Sequence, residues 1–158
     1  ESFETAIDLD SGVAAYHGSL ALSLLAEKRA EQAVDAVERA LQLEPADVGL
    51  AIDFLEGLVR AGDFERAADF IDDLQREEAI WKLVVPLVEL MIREYGAVDR
   101  PDSVERFRSA IARYEETLPV EWDFEELERL SLRFDRDVQR TFSRMVGVLE
   151  GRVDPEDF

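Results

Sequence analysis

The chain contains no cysteine, only two lysines (Lys28 and Lys82) and a single histidine, His17. Without thiols there are no disulfides, no thiolate nucleophile and no Cys-ligated zinc. One imidazole alone is too few ligands for a zinc site, so His17 is assigned to helix packing. Long apolar runs are also missing. A membrane-spanning helix needs about 20 predominantly apolar residues. The run from Leu83 to Val88 is far shorter and is closed by Glu89. Positive charge is scarce as well, and no cluster of Lys and Arg marks a basic patch. Nucleic-acid backbones and anionic membrane surfaces require such a patch, so both are excluded as expected partners.

Negative charge is abundant. Asp and Glu number 37 against 18 Lys and Arg, for a net charge of −19. That surplus is compatible with a protein partner of basic surface. Arginine dominance beside so many carboxylates also fits a salt-adapted cytoplasm or a GC-rich genome. The chain is 47% hydrophobic, which separates it from disordered acidic tails. No phosphate-cradling glycine loop, calcium loop or G-x-S-x-G turn appears. The carboxylates of Asp69, Asp72 and Asp73 read as a solvated helix face. No catalytic residue, cofactor or metal ligand is therefore expected. The opening Glu1-Ser2-Phe3 reads as processed or excised from a longer chain, and a cytoplasmic location is slightly favoured.

The apolar rhythm repeats every 34 residues. Residues 14–47 superimpose on 48–81, with Leu20 on Phe54, Leu24 on Leu58, Ala33 on Ala67, Val37 on Ile71 and Ala40 on Leu74. The same offset places Phe3, Ala6 and Leu9 before Val37, Ala40 and Leu43, so residues 1–10 read as the remnant of an upstream repeat helix. Each repeat splits into two helices. In the first, Leu20, Leu24 and Leu25 form one stripe, and Ala33, Val37, Ala40 and Leu41 form the next. Pro45 stops the second helix. In the second repeat Gly62 suits a left-handed C-terminal break, and Asp63 can cap the next helix.

Residues 78–150 are helical but off the pattern. The stretch 78–95 is apolar around most of its circumference and predicts a helix buried on two sides, with Pro86 kinking or dividing it. Asp102 with Glu105, and Asp123 with Glu126, have the spacing of capping boxes. Val138, Phe142, Met145, Val146 and Leu149 make a last stripe, ended by Gly151. Residues 151–158 predict a frayed acidic tail.

The residues of the two copies resemble the tetratricopeptide repeat family over about residues 3–76. The likeness rests on Leu20, Ala21, Leu24, Ala33, Val37, Ala40 and Pro45. It continues in Phe54, Leu55, Leu58, Ala67, Ala68, Ile71 and Leu74, and is strongest in the turn Ala61-Gly62-Asp63-Phe64. The chain departs from the family pattern at Ala21 and Leu55, where glycine is common, and at Leu24 and Leu58, where an aromatic is common. The resemblance implies an all-α fold, a right-handed helical-repeat solenoid of antiparallel helix pairs. Repeats would occupy 14–47 and 48–77, with 78–150 as the C-terminal part of the same domain.

The resemblance further implies a non-catalytic scaffold whose first helices line a concave surface. Leu22, Leu25, Ile52, Glu56, Val59 and Arg60 are the residues it places there, next to Ala15, Gly18, Ala26 and Gly49. Gly18 and Leu22 stand where a carboxylate clamp would carry a basic residue and asparagine, so that clamp is not expected. The occupant would be a peptide or helix of another protein, a neighbouring domain, or this chain's own residues 138–150. Two other readings stand beside it. One is an accessory or dimerisation domain of a larger protein, such as an enzyme. The other is an acidic mimic of nucleic acid.

Overall fold

A computed structural model describes residues 14–96 and 98–158. The expected upstream remnant at residues 1–10 lies outside them. Among the described residues there are eight α-helices and no strand. They are α1 (Ala14–Ala26), α2 (Ala30–Leu43), α3 (Val48–Arg60), α4 (Phe64–Leu74), α5 (Ala79–Gly96), α6 (Ser103–Arg113), α7 (Glu125–Ser131) and α8 (Arg136–Glu150). Short 3₁₀ turns cover Glu115–Thr117 and Pro155–Asp157. The chain divides into two compact units, Glu1–Asp63 and Phe64–Phe158. The boundary falls inside the 48–77 stretch that the period groups as one repeat.

In the first unit α1 packs against α2, and α3 packs on both. Small residues make the close approach possible. Ala21, Ala33, Ala40 and Ala51 are wholly buried, and Leu24, Val37 and Leu58 are sequestered with them. Gly18 leaves room for Leu50, whose side chain would stand 3.1 Å from an added Cβ. α1 ends on a Schellman pair: the Lys28 amide donates to the Leu25 carbonyl at 3.1 Å and the Arg29 amide to the Leu24 carbonyl at 2.9 Å. α3 ends the same way, with Gly62 donating to Val59 at 3.0 Å and Asp63 to Leu58 at 2.9 Å. Asp47 starts α3, its carboxylate accepting from the Leu50 amide at 3.1 Å. α2 stops at Leu43, two residues before Pro45.

The second unit is organised around α5. Trp81 and every residue from Leu83 to Ile92 are buried, because α4, α6 and α8 all pack against this helix. Pro86 neither starts a new helix nor ends one: α5 runs through it. An aromatic ladder links Phe64 to Tyr95 (ring centroids 6.0 Å apart), Tyr95 to Phe134 (4.7 Å) and Phe134 to Phe142 (6.0 Å). The Tyr95 hydroxyl donates to the Leu130 carbonyl. Glu89, on α5, has a side chain only 5% exposed and accepts from two arginines. The Arg100 guanidinium meets it at 2.7 Å and that of Arg106 at 2.9 Å. Arg100 also reaches Asp72 on α4 at 2.9 Å. One carboxylate thus fastens the loop after α5 and the start of α6.

Two expectations at element ends are corrected. Asp102 makes no side-chain cap to α6; its own backbone is left-handed, with φ 62°. Glu105 instead pairs with Arg108. Residues 152–158 do not fray. Asp154 accepts from the Glu156 amide at 2.9 Å. The Phe158 ring lies edge-on to Phe107 at 5.2 Å, with the guanidiniums of Arg108 and Arg144 over it at 5.3 and 5.6 Å.

Candidate functional site

The first unit carries a hollow of about 520 Å³ between α1 and α3. One wall is aliphatic: Leu22, 37% exposed, and Leu25, which is buried beneath it. The facing wall is charged, with Asp53, Glu56 and Arg60 on one side of α3 at helical spacing. Lys28 closes the end at the α1–α2 turn. Gly57 forms the floor, where an added Cβ would come within 2.5 Å of Leu25 Cδ2. The hollow therefore owes its depth to the absence of one side-chain carbon.

Electrostatics differ along it. Asp53 has its pKa raised, first by partial burial and then by repulsion from Asp47, while Arg60 works in the opposite direction. Glu56 is only 9% exposed and is partnered within the fold. Arg60 and Lys28 are exposed cations at the rim.

Of the six residues expected to form a groove, Leu22, Leu25, Glu56 and Arg60 meet at this hollow. Ile52 and Val59 do not line it; they are 0% and 3% exposed. α3 is buried from Phe54 through Val59 as well as at Ala51 and Ile52. Its apolar surface therefore wraps well beyond one stripe, and these two side chains serve packing. Gly57 and Asp53 were missed. The glycine's spacing three residues from Arg60 and its size were the available signals.

A second hollow, of about 570 Å³, lies in the second unit between α4, α5 and α6. Its apolar lining includes Trp81, Val85, Pro86, Ala110 and Tyr114, and its cations are Arg76, Lys82, Arg106 and Arg113. Trp81 is held edge-on to Phe70 at 6.3 Å. Sequence reasoning assigned Trp81 to packing and did not connect it with α6. Arg106 and Arg113 lie seven residues apart, on one face of α6.

His17 is buried at 8% exposure and engaged within the fold. Among the described residues no group of three or more His, Cys, Asp or Glu could hold a metal ion. None of their helices is long and apolar enough to cross a membrane. The chain is thus an all-α protein of packed helices with two side-chain-lined hollows. Comparison with protein-family models, curated proteins and solved structures finds no match to it.

Proposed function

We propose that this chain is a non-catalytic interaction module of tetratricopeptide type, holding a peptide or helix of another protein against the α1–α3 face of its first unit. The observation that carries this reading is the meeting of Leu22, Leu25, Glu56 and Arg60 around one hollow. An exposed leucine beside a buried one offers an apolar seat, and the rim charges fix orientation. Leu22 is one of only three large hydrophobics exposed among the described residues. The paired helices with small residues at their contacts support the repeat assignment, since such pairs bury their faces by stacking.

The test compares affinity capture by the full chain with capture by Leu22→Asp and Arg60→Glu, using Leu132→Asp as a surface control. A protein retained by the natural chain and the control but lost by both hollow variants supports the assignment. Retention unchanged in both hollow variants, with helix content intact, overturns it.

A further inference from the structure

The second unit's hollow differs from the rest of this acidic chain in its charge. Arg76, Lys82, Arg106 and Arg113 line it, and Arg100 and Arg108 stand directly behind them. Six of the chain's 18 Lys and Arg residues are gathered here. The carboxylates among them are Asp72, Glu77, Glu78, Glu89 and Glu105, each already in an ion pair. Six cations against five anions leave a local surplus of positive charge in a protein of net charge −19.

That surplus is accessible. Lys82 meets Glu77 only at 3.6 Å, between side chains 42% and 83% exposed, a pairing worth little in water. Arg113 is exposed, and its guanidinium lies over the Tyr114 ring at 5.5 Å. The lining between these cations is apolar, from Trp81, Val85 and Pro86 on α5 to Ala110 on α6. Pro86 adds a main-chain feature. It has no N–H, so the carbonyl of Lys82, four residues earlier, lacks its usual helical donor. Lys82 and Pro86 both line the hollow, which sets that acceptor on the wall where a bound backbone amide could use it.

We propose that this hollow binds a peptide segment of a partner protein in which carboxylates alternate with aliphatic or aromatic side chains. The carboxylates meet Arg113 and Lys82, the apolar side chains lie on Trp81, Val85 and Pro86, and a peptide N–H satisfies the Lys82 carbonyl. This assignment is independent of the α1–α3 hollow.

The experiment uses the full chain carrying Trp122→Phe, which leaves Trp81 as the reporter. It is titrated with a short synthetic peptide alternating glutamate and leucine, and with its lysine–leucine counterpart, at equal salt. The glutamate–leucine peptide is expected to change Trp81 emission saturably. Arg113→Glu should weaken that binding about tenfold or more, the scale of one charge-assisted hydrogen bond, and Leu22→Asp in the first unit should leave it unchanged. If Trp122→Phe lowers helix content, the same titrations are read by calorimetry with both tryptophans present. The proposal is overturned by no saturable response up to millimolar peptide, by an equal response to the lysine–leucine peptide, or by binding indifferent to Arg113→Glu.

Discussion

Lys28 and Gly62 stand 34 residues apart and share one backbone state, left-handed with φ of 63° and 78°. Both sit just past the end of a helix, and each closes a Schellman pair together with the amide of the next residue. The repeat is therefore present in the turns as well as in the apolar stripes. Only one copy carries the residue that adopts this state without strain. A side chain in the left-handed region costs roughly 1–2 kcal/mol, partly offset by the extra chain entropy that glycine brings to the unfolded state. Lys28→Gly is expected to stabilise the protein by about 0.5–1 kcal/mol. Gly62→Ala should cost about 1 kcal/mol. Urea denaturation of the two variants beside the natural chain checks both signs.

Glu89 is nearly buried and holds two guanidiniums. Removing one partner of a buried ion pair leaves unpaired charge and typically costs about 3–5 kcal/mol. Glu89→Ala should fall in that range, whereas Glu105→Ala, on an exposed pair, should change stability by less than about 0.5 kcal/mol. Comparable denaturation midpoints for the two variants would show that the paired arginines are not held by Glu89 in solution.

The contrast between these carboxylates also shows what could be read in advance. Gly62, Pro45 and the Ala33–Val37–Ala40 stripe were legible because each acts through local geometry: a left-handed turn, a missing amide, a helical face. Glu89 was not. Its partners come from residues 100 and 106, and nothing in their spacing reports a three-dimensional meeting. Asp102 and Glu105 had the right spacing for a capping box, but the left-handed backbone at Asp102 takes its carboxylate out of play. Ile52 and Val59 were placed on an open face because periodicity marks an apolar residue without telling whether a second element covers it. Phe158 belongs to a segment too short for any period, and its docking depends on Phe107 and two arginines brought there by α6 and α8.

Two glycines separate tolerance from intolerance. A Cβ at Gly57 would meet the mobile end of Leu25, at 2.5 Å from Cδ2. At Gly96 it would meet the Cβ of Phe64 at 2.5 Å and its Cγ at 2.8 Å, close to the backbone of a ring locked in the aromatic ladder. Gly96→Ala is expected to cost about 1–3 kcal/mol by overpacking. Gly57→Ala should cost less than about 1 kcal/mol, since Leu25 can change rotamer, while making the first hollow shallower. Thermal melts rank the pair; equal losses would contradict the difference in what each Cβ would meet.

The pH response of stability should carry two opposite contributions. Asp53 has a raised pKa because burial and Asp47 disfavour its charge. Its stabilising contribution is complete below the unfolded value of about 3.9 and is lost as pH rises through the higher folded value. Asp53→Asn should therefore be more stable than the natural chain at neutral pH, with the advantage fading towards acid. Glu78 has a lowered pKa, chiefly through its hydrogen bond from Arg76 at 2.9 Å. Its contribution is present above about 4.3 and lost as pH falls through the lower folded value. Glu78→Gln should be the less stable form at neutral pH. Both effects are modest because both carboxylates remain largely in contact with water. Denaturation midpoints followed from acid to neutral read the two slopes.

α5 keeps ten consecutive residues, Leu83–Ile92, away from solvent. Their amides can therefore reach deuterated water only when the second unit comes apart as a whole. Helices with a solvated side, such as α6 and α7, can release protons through smaller openings. Exchange rates would then map a rigid post surrounded by breathing walls, and Pro86, which has no exchangeable amide proton, would leave one silent position in its centre.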